Sequence, residues 1–139
     1  MSEYNSESWD AYIDNLLGHT YGHADLAAII GLSGAFLTGH EHPKALVLSQ
    51  EEANTIGAAM TSRDDSVFQG SGIVVGGVKY QFLRGDDSIA LGKKKGQGAI
   101  TLQRSNTAVV IGHTKEGGLQ GNTNRGVAII AEYLESLGL

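Results

Sequence analysis

Lys93, Lys94 and Lys95 fall within one short Gly-bounded stretch, GKKKGQG. A compact group of ammonium charges attracts multivalent anions through a contact that weakens with salt. The stretch lacks the spacing and the Ser or Thr of a P-loop, and GSGIVVGG is not followed by the helix that a dinucleotide fingerprint requires. His19 with His23, and His40 with His42, sit in Gly-rich surroundings without a further ligand nearby, which fits surface histidines better than a metal site. Asp64, Asp65, Asp86 and Asp87 come in adjacent pairs at turn-rich positions, where solvent exposure and turn propensity account for them. The chain has no Cys, which removes a cysteine nucleophile, disulfides and Cys-based zinc sites together. No catalytic constellation, metal or cofactor is therefore expected, and the function classes left are those of binding.

The elements that must position such surfaces follow from composition and periodicity. A chain of 139 residues with 41% hydrophobic content fits one domain with one core, and a net charge of -5 argues against a broad nucleic-acid surface. The polar, acidic start MSEYNSES does not read as a signal peptide, and no apolar run approaches the roughly 18 to 20 residues of a membrane span, so a cytoplasmic protein is expected. Residues 1–7 read as a flexible extension before a single domain over 8–139. Ser8 is placed to cap a short amphipathic helix through Trp9, Tyr12, Ile13, Leu16 and Leu17, with Gly18 as its stop. ADLAAIIGL, SG and AFLTG read as a hairpin, and Ser49 with Glu52 three residues on predicts a capping box opening a helix to about Met60.

From Gly72 onward, short runs rich in Val, Ile, Tyr, Phe and Thr alternate with Gly, Asn and Asp turns. Their spacing leaves no room for crossover helices, so an antiparallel meander is expected, followed by a helix from about residues 122–124. The fold class is α+β, with both terminal helices covering one face of the sheet. Trp9, Ile13 and Leu16 share one side of the first helix and leave Tyr12 at the edge of a wide apolar arc. Val127, Ile130, Ala131, Leu134 and Leu137 form the last helix's stripe, with Ile129 and Tyr133 on the other flank. Periodicity alone allows either an ordinary core Trp with two half-exposed tyrosines or an aromatic strip of Trp9, Tyr12 and Tyr133.

The order SWDAYIDNLL, then VKYQFLRGDDSIALGKKKGQGAITL, then EGGLQGNTNRGVAIIAEYLESLGL resembles profilin from Ser8 over nearly the whole chain. The resemblance implies a central antiparallel sheet, terminal helices together on one face and smaller helices on the other. It implies a non-enzymatic, monomeric, cytoskeleton-associated regulator of actin polymerisation with a separate groove for proline-rich proteins. The groove positions would be Trp9, Tyr12, Phe36, Tyr133, Leu134 and Leu139. A polyproline II helix is preformed and lies on aromatic faces at little ordering cost, while indole N–H and phenol O–H groups meet its carbonyls. Phe36 stands where profilins commonly carry a second Trp, and Leu139 where many end in an aromatic; Phe36 can stack but offers no N–H.

The actin face would use Arg84, Thr101, Lys115, Gly121, Asn124, Arg125 and Ile129, polar residues meeting specific partners and Ile129 adding apolar burial. Phosphoinositide headgroups would meet Lys93, Lys94 and Lys95 with Arg84 or Arg104. The alternative weighed is a small helix-and-sheet adaptor of a vesicle or signalling complex, which would need neither the aromatic strip nor Ile129 beside Arg125. A nucleic-acid role ranks last, since Lys79, Tyr80 and Arg84 are isolated.

Overall fold

The computed structural model describes residues 6–139, with side chains from Trp9 onward. Residues 1–5, and with them most of the expected extension, lie outside the described residues. The elements are α1 (Ser6–Gly18), β1 (Ala24–Gly31), α2 (Gln50–Ser62), α3 (Ser66–Ser71), β2 (Ile73–Val75), β3 (Val78–Gly85), β4 (Ile89–Lys94), β5 (Gly98–Arg104), β6 (Ala108–Thr114) and α4 (Gln120–Ser136). The six strands form one antiparallel sheet in the order β1-β6-β5-β4-β3-β2. The meander from β2 to β6 is as expected. Its tightest turn, Gly76 and Gly77 between paired Val75 and Val78, has positive φ at both residues (60° and 80°), the geometry a two-residue hairpin favours.

Because successive strand residues point to opposite faces, neighbours in sequence serve different halves of the core. Ile30, Ile100, Leu102 and Ile111 pack with Ile56, Met60 and Phe68 beneath α2 and α3. Ile29 and Val110 pack with Ile13, Leu16, Val127, Ile130 and Leu134 beneath α1 and α4. The terminal helices thus share one face, and α2 and α3 lie on the other. α1 lies against β1 and α4 against β6 and β5, which leaves β4 and β3 open on that face.

Several boundaries differ from expectation. α1 begins at Ser6, so Ser8 lies inside the helix and is not its cap; no Gly or Pro between Ser6 and Ser8 stops the helix from extending back. α4 begins at Gln120, two residues before the predicted start, and the short α3 was not anticipated. The second arm of the predicted hairpin is not a strand: Phe36 makes a single bridge with Ile30, and Leu37 and Thr38 both donate their backbone N–H to the Ile29 carbonyl. Leu137 leaves the apolar stripe and is half exposed at the C-cap of α4. Gly138 at φ +82° turns the chain there, its N–H meeting the Glu135 carbonyl and that of Leu139 the Leu134 carbonyl. This Schellman arrangement swings Leu139, rather than Leu137, back onto the core.

The capping box is present as predicted, with Ser49 Oγ accepting from Glu52 N–H and Glu52 Oε1 from Ser49 N–H. Glu52 also accepts from the Gly76 and Gly77 amides, which ties the start of α2 to the β2–β3 turn. Gly57, which weakens α2 by propensity, has a packing reason: a Cβ there would stand 2.3 Å from the Leu32 carbonyl oxygen. Gly57→Ala is therefore expected to destabilise the fold by about 1–3 kcal/mol through overpacking, outweighing a helix-propensity gain of up to about 1 kcal/mol. Urea unfolding reads the balance; an equal or higher midpoint for the variant contradicts the close approach.

Candidate functional site

α1 and α4 bring the aromatic residues of the two chain ends together. The Trp9 and Tyr12 rings lie 5.6 Å apart at 50°, and Tyr12 and Tyr133 lie 6.2 Å apart at 49°. Trp9 and Tyr12 are each half-buried, with Tyr133 50% exposed, so the row is seated on the core and open along its outer side. Leu134 is fully buried and forms the floor beneath the row, where no ligand reaches it. Leu139 is half-buried against the same cluster, and its carbonyl oxygen accepts from Ser105 Oγ at 2.9 Å and Thr107 Oγ1 at 2.8 Å. Phe36 packs with the α2-side core and meets His40 edge-on at 4.5 Å, whereas the next residue, Leu37, packs with the Trp9 cluster. Sequence reasoning missed Leu37, since the bridge at Phe36 that sets this alternation has no strand periodicity to announce it. Asp10 Oδ1 accepts the Gly39 N–H at 2.7 Å and Asp14 pairs with His42 at 3.1 Å, holding the 39–42 loop to α1.

A second site occupies the sheet face that α4 leaves open. Arg84, Thr101, Gly121, Asn124 and Arg125 line one cleft of about 390 Å3, floored by Ile89, Leu91 and Ala128. Pairing explains the convergence: Arg84 stands opposite Leu91, and Leu91 opposite Thr101, so all three share a face. A bulge between Phe82 and Arg84 makes this possible by turning Phe82 to the α3 side and Arg84 to the α4 side. Both guanidinium groups are exposed, while Thr101 is buried. Lys115 and Ile129 do not line the cleft: Lys115 is exposed on the turn before α4, and Ile129 is half-buried on the helix. Gln103, Asp86 and the apolar floor were missed, although strand alternation with Arg84 and Thr101 could have indicated them.

Lys93, Lys94 and Lys95 line a different cleft, of about 710 Å3, beside Phe68, Gln69 and Gly70 of α3. Lys79 and Gln81 join them because Gln81 pairs with Lys93 across the ladder and Lys79 lies two residues along the same face. Arg84 belongs to the other cleft. Arg104 is engaged elsewhere, donating to the carbonyls of Met60 (2.9 Å), Ser105 (3.0 Å) and Asn106 (3.2 Å). At the turn that follows the lysines, His113 holds the chain, with Nδ1 2.6 Å from Asp25 Oδ1 and Nε2 2.7 Å from the Gln97 carbonyl. Burial, with Asp25 as a smaller cause, raises the nearby Tyr80 phenol above its ordinary value. Among the described residues no group of three or more His, Asp or Glu could hold a metal, and no helix is long and apolar enough to cross a membrane.

In the aromatic row, burial, and to a lesser degree the Tyr133 phenol beside it, raises the Tyr12 phenol above its ordinary value. A phenol whose value is raised by folding contributes stability below about pH 10 that is lost as pH rises through its folded midpoint. A difference titration against Tyr12→Phe is expected to place the Tyr12 midpoint above about 10, with Tyr133→Phe removing the smaller part of the shift. A Tyr12 midpoint at the ordinary value contradicts the packed row.

The comparisons with known proteins agree with this architecture. A family model for Profilin matches residues 7–139. Profilin of Heliocidaris crassispina is 56% identical over 139 residues, covering 95% of this chain and 99% of that one, and profilin of Clypeaster japonicus is 53% identical with the same coverage. Acanthamoeba castellanii profilin IB superposes with a TM-score of 0.80 at 28% identity, covering 94% of this chain and 99% of its own. More distant structures share the fold: mouse profilin IIa in complex with a double repeat from the FH1 domain of mDia1 (TM-score 0.71, 23% identity, 94% and 99% coverage) and LokiProfilin2 in complex with rabbit actin (0.70, 19%, 99% of each chain). With a match that spans the aromatic row, the open-face cleft and every element between them, the chain belongs to the profilin family.

Proposed function

We propose that this chain binds monomeric actin through the open-face cleft and proline-rich segments through the aromatic row, and so regulates actin polymerisation without catalysing a reaction. The observation that carries the reading is the pairing of two separated surfaces on α4: Tyr133 at its C-terminal end in the aromatic row, and Asn124 and Arg125 near its start in the cleft. Trp9, Tyr12 and Tyr133 present adjoining tilted ring faces of the kind on which a polyproline II helix docks, with Leu139 at the edge and Leu134 as floor. Leu37, rather than Phe36, packs with the Trp9 cluster and is the apolar neighbour that would extend that surface. Arg84 and Arg125 supply charge at the cleft rim, with Thr101, Asn124 and Gly121 behind them; Lys115 and Ile129 add to a larger contact area around it. Membership of the profilin family and the two distant complexes, one with an FH1 repeat and one with actin, support both halves.

A cytoplasmic, cytoskeleton-associated monomer accords with that role. The lysine cleft suits a phosphoinositide headgroup, with Lys79 joining Lys93, Lys94 and Lys95; Arg84 and Arg104 stand outside it. In a chain of net charge -5 such a contact weakens steeply with salt.

Trp9 is the sole Trp, so its fluorescence reports directly on the aromatic row. Titration with an oligoproline peptide is expected to give a saturable change, and Tyr133→Ala, which removes a half-exposed ring, to weaken binding roughly tenfold in a folded protein. Unchanged affinity in the variant rejects the row as the binding surface. Arg125→Glu is expected to reduce the sequestration of monomeric actin in polymerisation assays while leaving the oligoproline titration as in the wild type. Identical polymerisation curves over a range of concentrations reject Arg125 as an actin contact.

A further inference from the structure

The cleft's polar side carries a directional chain of hydrogen bonds. Gln120 Nε2 donates to the Ile100 carbonyl at 3.0 Å and, more loosely, to the Gly92 carbonyl at 3.4 Å, both of them acceptors only, so its amide is oriented with the nitrogen toward the sheet. The same nitrogen lies 3.5 Å from Thr101 Oγ1, which places a donor on the hydroxyl oxygen and leaves the hydroxyl proton to be given onward. That proton goes to Asn124 Oδ1 at 2.6 Å, a short bond made by a buried threonine. With its oxygen held inward, Asn124 turns its Nδ2 the other way. Asn124 is half-buried and lines the cleft; among the described residues its Nδ2 has no hydrogen-bond partner and no buried side-chain N or O goes unpaired, so that nitrogen stands at the cleft surface.

We propose that Thr101 is a positioning residue that turns the Asn124 amide so that its N–H donors face the cleft beside Arg84 and Arg125, making the cleft selective for a partner segment that presents a carboxylate. This rests on the reading of the cleft as the actin-binding surface and specifies what that surface recognises. The rim groups support it. Arg84 and Arg125 are donors without acceptor capacity. Asp86, the one carboxylate lining the cleft, already accepts the Ser88 and Ile89 amides on Oδ1 at 2.8 and 3.0 Å. The apolar floor of Ile89, Leu91 and Ala128 excludes water from beneath such a contact, which strengthens charge-assisted bonds to the guanidinium groups. Were the amide reversed, its carbonyl oxygen would face the incoming carboxylate and repel it.

Binding of monomeric actin by the full chain tests this with three variants. Thr101→Val keeps the shape but cannot donate, so the amide loses its preferred orientation; binding is expected to weaken roughly three- to tenfold, the worth of one hydrogen bond. Thr101→Ser keeps the donor and is expected to restore wild-type affinity, a rescue that a purely structural role of the threonine methyl would not give. Asn124→Asp keeps the oxygen that accepts from Thr101 and exchanges only the outward N–H for an anionic oxygen; it is expected to weaken binding by tenfold or more. Oligoproline affinity, read in parallel, is expected to be unchanged in all three. Wild-type affinity for actin in both Thr101→Val and Asn124→Asp overturns the inference while the functional reading stands. A wild-type chain that fails to bind actin overturns that reading and the inference with it.

Discussion

α4 can lie close on both α1 and β6 because residues at the two contacts have no side chain. A Cβ on Gly126 would stand 2.8 Å from the Leu16 carbonyl oxygen of α1 and 2.6 Å from Thr20 Cγ2. A Cβ on Gly112 would stand 2.7 Å from Val127 Cγ2 and 2.8 Å from Thr123 Cγ2 of α4. Interiors at native packing density cannot absorb such an overlap without moving an element, and one of the contacted atoms is backbone. Both candidate surfaces inherit this spacing. Tyr133 reaches Tyr12 only if α4 lies beside α1 at this separation, and Asn124 reaches Thr101 only if the start of α4 lies flat on β5.

The sheet then separates what α4 brings together. With α1 over β1 and α4 over β6 and β5, the helices run out before the sheet does, and the exposed face of β4 and β3 becomes the cleft. The bulge between Phe82 and Arg84 sets Phe82 toward the α3-side core and Arg84 toward this cleft, while Lys79 and Gln81, further along β3, line the lysine cleft beside Phe68, Gln69 and Gly70. A chain of net charge -5 thereby concentrates cations on two distinct surfaces, leaving the aromatic row to apolar and hydrogen-bonding recognition.

The strands from Ile73 to Thr114 were legible because every turn among them is written in Gly, Asn, Asp or Ser and every run alternates or is β-branched. The capping box at Ser49 was legible because it is a local device. Between Gly31 and Ser49 the chain is held by scattered backbone bonds to the edge of β1, such as Ala27 N–H to the Lys44 carbonyl and Leu46 N–H to the Ala27 carbonyl. Such bonds impose no period on the side chains, so the sequence does not show that Leu37 rather than Phe36 packs with Trp9. Arg104 shows a related difficulty: charge is visible in a sequence, but its use as a donor to the carbonyls of Met60, Ser105 and Asn106 depends on how α2 is placed against the turn after β5. Tyr12 and Tyr133 were legible as aromatics that two helical periodicities leave over, while their joining with Trp9 in one row is one of two arrangements those periodicities allow and is fixed only by the contact of α1 with α4.

Two surfaces that share α4 without overlapping hold both ligands at once. The most direct measurement captures the wild-type chain on immobilised oligoproline and asks whether monomeric actin is retained with it. Retention of about one actin per captured chain is the predicted result. Release of the chain from the oligoproline as actin is added, or exclusion of actin while the chain stays bound, would contradict the account.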